Sequence, residues 1–223
     1  TLSSSSAASD VYKRQTLDEG IQELAARQNQ DGGWGWWSSG TTTHPAVGQI
    51  PPSSDGNITA YVVFGLSTAR DAGVFVDEST LQNGVDYLLA SLPALEMLSS
   101  TWQLDRLAFQ HFALAKAGAG SAGSAHNLFE VRDQLSPYAQ AFLTLTLAAY
   151  DAGDERIGTL LSDLNSTAIR TGTGIHWEGQ GAKTNLDTPM LNTAVVVYAL
   201  AQQEPASFIL PEATRYLMSH RHA

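Results

Sequence analysis

The chain has 223 residues, a formal net charge of −10 and no cysteine. A chain of that length buries a substantial core, and its negative field repels polyanions, which excludes nucleic acid as a partner. Without cysteine these residues hold no disulfide, thiolate metal site or cysteine nucleophile, and no apolar run approaches the ~20 residues that span a bilayer.

Thr1–Gln15 shows neither helical nor strand periodicity and reads as a disordered lead, native or artefactual, outside the domain that occupies 16–223. From Thr16 onward the period is helical. Thr16 is placed to cap a helix with Leu17, Ile21, Leu24 and Ala25 on its apolar side, and Asn57 to cap the next, through Tyr61–Leu66 to Gly73. Asp77 opens a third, striped by Leu81, Val85, Leu88, Leu89 and Leu92. A fourth spans Trp102–Ala117. Ser136-Pro137, a capping serine with proline at the first helical position, starts another that runs to Gly153. Ile157, Leu160, Leu161 and Leu164 form a further stripe, and Asn192–Gln203 and Pro211–Ser219 close the series.

Two kinds of helix alternate. Ala60–Leu66, Leu107–Ala117, Ala139–Tyr150 and Thr193–Ala201 are apolar nearly all round, whereas 81–92, 157–164 and 213–217 are one-sided. The first kind is expected to be covered on every side and the second to lie at the surface, giving inner helices wrapped by outer ones. Thr59-Ala60-Tyr61-Val62-Val63 also matches Thr193-Ala194-Val195-Val196-Val197, and helices end repeatedly on Ala-Gly, at 72–73, 117–118 and 152–153. Such paired-helix repeats build either an open solenoid or a closed toroid, and spacing does not choose between them. Residues 38–56 are long for a connection, and a short strand or hairpin is expected near 171–178.

No motif carries chemistry outright. Trp34, Trp36 and Trp37 sit in the glycine-rich turn Gln30–Trp37, where indoles serve either as clasps against helix ends or as a stacking platform for a ligand. Asp31 in that turn suits backbone capping better than acid catalysis. The histidines at 44, 111, 126, 176, 220 and 222 have no metal-ligand spacing, so no metal or cofactor is expected. His111 lies in an apolar helix and reads as a core residue. His176, followed by Glu178, has a carboxylate near enough in sequence for acid–base work, although adjacent strand residues point to opposite faces. Asp77-Glu78 and Asp154-Glu155 fall at helix starts, where the helix dipole accounts for them.

The stretches Asp31–Trp37, Ile58–Leu66 and Ala72–Glu78, then Gly174-Ile175-His176-Trp177-Glu178 and Leu191–Ala194, resemble the thioester-domain region of bacterial alpha-2-macroglobulins. That resemblance covers most of 16–223. It implies an all-α fold, an α/α toroid of helix hairpins incomplete at one or both ends, inside a large multidomain exported protein. It also implies endopeptidase inhibition by protease trapping and a periplasmic or extracytoplasmic location. The partners are then the parent's other domains and, through the parent, target proteases. In thioester-bearing relatives a Cys–Gln bond reacts covalently with the attacker. No such motif lies in these residues, so no catalytic residue carries over and no thioester is expected within the fragment. A toroid cut short would expose inner-helix residues such as Val195 and Val197.

Two other readings stand beside this one. Terpene cyclases share the toroid and use repeated motifs resembling Gln30–Trp34, but this chain has one copy and no acidic cluster of their kind. A toroid glycosidase would need two of Asp31, Glu178 and Asp187 in one cleft. A non-catalytic interaction scaffold is the remaining alternative.

Overall fold

The computed structural model describes residues 2–37, 42–44, 48–50, 53–179 and 188–221. Among them are nine α-helices: α1 (Leu2–Ala26), α2 (Gly56–Asp71), α3 (Glu78–Ser91), α4 (Thr101–Ala117), α5 (Ala122–Phe129), α6 (Pro137–Tyr150), α7 (Glu155–Ser166), α8 (Pro189–Gln203) and α9 (Ile209–His220). Two antiparallel hairpins accompany them, β1 (Thr42–His44) with β2 (Gly48–Ile50) and β3 (Ile169–Thr171) with β4 (Gly174–His176). The fold is thus mostly helical, and the strand expected near 171–178 is the hairpin β3–β4. The β1–β2 hairpin lies in the long 38–56 connection and was not legible there.

The helix starts follow from capping chemistry. Asp77 caps α3 by accepting from the Thr80 N–H at 2.8 Å, and Ser136 caps α6 ahead of Pro137. At α2 the expected cap moves: Asp55, not Asn57, accepts from the Asn57 and Ile58 N–H groups. A carboxylate at the positive end of a helix gains from the dipole as well as the hydrogen bond, which favours the aspartate. The first helix also differs from expectation. It begins at Leu2, so the lead read as disordered is helical, and Thr16 lies inside it with its hydroxyl donating to the Tyr12 carbonyl at 3.0 Å. No glycine or proline precedes Gly20 to interrupt that helix.

Packing divides the chain into two units, Thr1–Leu92 with Lys116–Ala119, and Pro93–Ala115 with Gly120–Ala223. In the first, α2 and α3 pack against each other, and their buried residues include Ala60, Val63, Leu66, Leu81, Val85 and Leu88. In the second, α6 is buried at every position from Tyr138 to Leu147, and α7 and α8 pack against it. Phe109 and Phe112 of α4 meet Phe142 of α6 with centroids 5.0 and 4.9 Å apart, so aromatic contact joins these two helices.

The expected contrast between helices buried nearly all round and helices buried on one side holds for α4 and α6 as the first kind and for α3, α7 and α9 as the second. It does not hold in full for α2 and α8. Both keep an exposed strip carrying Tyr61 and Tyr198, while Val195, expected to be exposed, is buried. Apolar atoms form much of any protein surface, so an apolar strip does not by itself require cover.

Candidate functional site

Three residues build the first junction. The Trp34 indole is buried, and its Nε1–H donates to the Leu24 carbonyl in the last turn of α1 at 2.7 Å. Its backbone N–H donates to Thr59 Oγ1 in α2 at 2.9 Å, and the Thr59 hydroxyl in turn donates to the Trp34 carbonyl. One residue therefore ties the end of one helix, through its side chain, to the start of the next, through its backbone. Asp31 supports the turn: its Oδ1 accepts from the Gly33 N–H at 3.1 Å and from the Ser54 hydroxyl at 2.6 Å. It caps backbone, as its place in the turn suggests. Trp36 and Trp37 take no part in the clasp and stand 74% and 49% exposed.

A second junction repeats this arrangement. The Trp177 Nε1–H donates to the Leu164 carbonyl in α7 at 2.7 Å, and the Trp177 backbone N–H donates to Thr193 Oγ1 in α8 at 3.1 Å. The likeness of Thr59–Val63 to Thr193–Val197 is thus the likeness of two clasp acceptors. The following helices match too. A Cβ on Gly32 would meet the Asn83 carbonyl, and one on Gly174 would collide with that of Glu212; both glycines have positive φ, +87° and +136°. Asn83 lies one turn before Tyr87 in α3, as Glu212 lies one turn before Tyr216 in α9. A Cβ on Gly33 would sit 3.0 Å from the Tyr87 ring; in the second junction the residue before the tryptophan is His176, and its imidazole lies on Tyr216.

Here the junctions part. Gly33 and Gly35 flank Trp34, whereas His176 and Glu178 flank Trp177. Glu178 lies two residues past the end of β4, and His176 Nε2 reaches its Oε1 at 3.2 Å. The His176 side chain is 8% exposed, and the Glu178 side chain is 58% exposed. Tyr216 stacks on the imidazole with centroids 4.5 Å apart and planes 10° from parallel. His176 Nδ1 is buried and has no hydrogen-bond partner among the described residues. A carboxylate only accepts, so the neutral ring carries its proton on Nε2 and keeps a lone pair on Nδ1. This is the one arrangement among the described residues that pairs a buried imidazole with a solvent-facing carboxylate, and it can relay a proton between ring and surface.

The other candidates are structural. His111 is buried in α4, and burial pushes its imidazole down to about 4, so it stays neutral at ordinary pH. His126 in α5 bonds Asp154, the cap of α7, at 3.2 Å. Burial opposes the Asp154 charge, but hydrogen bonds from Arg156, the Arg156 charge and the His126 bond together hold its carboxyl below the ordinary range. Asp77 is held low as well, by the Ser79 hydroxyl first and then by Thr80. Burial, with the charges of Asp31 and Asp55, pushes the Tyr87 phenol up. Asp31 belongs to the first unit and Glu178 to the second, while Asp187, His222 and the side chain of His44 lie outside the described residues. No group of three metal-ligating side chains occurs among the described residues. Sequence reasoning missed Tyr216 altogether, since only the packing of α9 on β4 brings it to His176.

No family model matches the chain. Over 72 residues, 32% of its length, it is 38% identical to alpha-2-macroglobulin of Thermotoga maritima, a match that covers 4% of that protein. Its fold overlays 96% of the chain on native alpha-2-macroglobulin of Escherichia coli spanning domain MG7 to the C-terminus, with TM-score 0.69, 17% identity and 32% of that chain covered. The same E. coli protein activated by porcine elastase gives TM-score 0.69 at 18% identity, over 95% of this chain and 18% of that one. The chain thus spans a third or less of each of these relatives. It has an alpha-2-macroglobulin-like structure, matching the C-terminal region of the bacterial proteins.

Proposed function

We propose that this chain forms the thioester-domain part of a longer, exported bacterial protein that inhibits endopeptidases by trapping them. The observation that carries this reading is the overlay of nearly the whole chain on bacterial alpha-2-macroglobulin. The reading is of an inhibitor rather than an enzyme. Its partners are the remaining domains of the parent and, through them, target proteases in the periplasm or outside the cytoplasm. None of the described helices is long and apolar enough to cross a membrane.

Within this reading the His176–Glu178 pair is the acid–base element. It can pass a proton between the buried ring and solvent, while any reactive thioester would be carried elsewhere in the parent, since these residues contain no cysteine. The chain alone is expected to form no adduct with methylamine, and a mass increase of one methylamine would overturn that.

The deciding experiment uses the longer protein incubated with elastase. An enclosed protease still reaches a small peptide substrate but not a large protein, so cleavage of casein should fall while cleavage of a chromogenic peptide persists. Equal loss of both would indicate active-site blockade, and loss of neither would remove the inhibitor reading.

A further inference from the structure

We propose that Tyr216 is a positioning residue for the His176–Glu178 pair, an inference that rests on the acid–base reading of that pair. The histidine ring torsion is broad and two-fold, so the backbone alone leaves the imidazole plane loosely set. Glu178 is a weak guide, because a half-exposed carboxylate making one 3.2 Å bond moves readily with the ring. Tyr216 supplies what is missing. Stacked 10° from parallel, it restricts the imidazole to one plane, and within that plane the carboxylate selects the setting that turns Nε2 outward and Nδ1 inward.

The tyrosine is itself held on both sides. Its second face stacks on His220 at 4.2 Å, and Gly174 lets the α9 backbone lie directly on β4, since any Cβ there would push away the turn that carries Tyr216. The first junction separates frame from function. Tyr87 holds the corresponding place there, but Gly33 offers it no ring to orient. A tyrosine in this place therefore belongs to the repeat, and the second junction puts that tyrosine to use by setting an imidazole on it.

The test is the tautomeric state of His176, read by long-range 1H–15N correlation on the full 223-residue chain. Wild type should show one tautomer with the proton on Nε2, and its ring protons should be shifted upfield by the tyrosine ring. Tyr216→Phe keeps the plate and should preserve both signatures. Tyr216→Leu should abolish the upfield shift and mix the tautomers, whereas Glu178→Gln should mix the tautomers and leave the upfield shift. A folded Tyr216→Leu chain with an unchanged single tautomer would sink the proposal. So would wild-type ring protons without an upfield shift, or a Tyr216→Phe spectrum that differs from wild type; these two readouts decide if the leucine variant fails to fold. If the tautomer results hold but the elastase assay fails, the positioning role stands and the trapping function falls.

Discussion

The junction at Trp34 and the junction at Trp177 use the same two bonds, from indole to the preceding helix end and from backbone N–H to a threonine in the next helix. They differ in the residues on either side of the indole, glycines in one and His176 and Glu178 in the other. The two bonds need only the tryptophan and the threonine, but the flanking positions differ in room: a Cβ on Gly33 or Gly35 would run into Ser54 or Ser53, whereas the second junction holds two full side chains there. Only the second junction therefore has space beside its indole for chemistry, and it fills that space with an imidazole and a carboxylate.

The comparison breaks most readily at the indoles. Trp34→Ala and Trp177→Ala should each cost about 3–5 kcal/mol, the range for deleting a buried aromatic side chain. Denaturant unfolding of the two variants checks this, and a cost at Trp34 under half that at Trp177 would end the equivalence of the clasps. Acid separates the two units next. Five of the six histidines belong to the second unit, and His111 there titrates at about 4 when folded against 6.5 when exposed. A depressed folded value means the unfolded chain takes up the proton first. Stability is then full above about 6.5 and declines as pH falls toward 4, by about 3 kcal/mol in all. Denaturant midpoints followed from pH 7 to pH 4 should show that loss, and His111→Leu should remove it. The smallest effect lies at the threonines. Thr59→Val and Thr193→Val keep the shape but leave a buried tryptophan N–H without its acceptor, at about 1–2 kcal/mol each. Hydrogen exchange at the two tryptophan amides should quicken in the matching variant only.

Helices whose periodicity and caps agreed were legible in the sequence. Ser136-Pro137 and Asp77 mark starts that the structure keeps, and the β3–β4 hairpin stands where alternation places it. The short helix α5 was missed because Ala122–Phe129 mixes glycine and small residues over barely two turns. The tryptophan loop admitted both clasps and a stacking platform, and of its three indoles only Trp34 is buried as a clasp, since a tight turn has room to fold one ring back. At the candidate site the sequence already set Glu178 near His176 as a carboxylate for acid–base work, but strand alternation left open whether the two side chains meet, as they do at 3.2 Å. Tyr216 and the free Nδ1 depend on how α9 lies across β4, a long-range contact that no local pattern encodes.

The two clasps also fix where this chain tolerates change in length. Trp34 meets its threonine 25 residues downstream and Trp177 meets its own after 16, although the bonds at both ends are the same. Each connecting stretch is tethered at both ends, and closing a longer loop between fixed points costs only slowly more entropy. Length added between tryptophan and threonine should accordingly leave both clasp bonds, and the helices they join, in register.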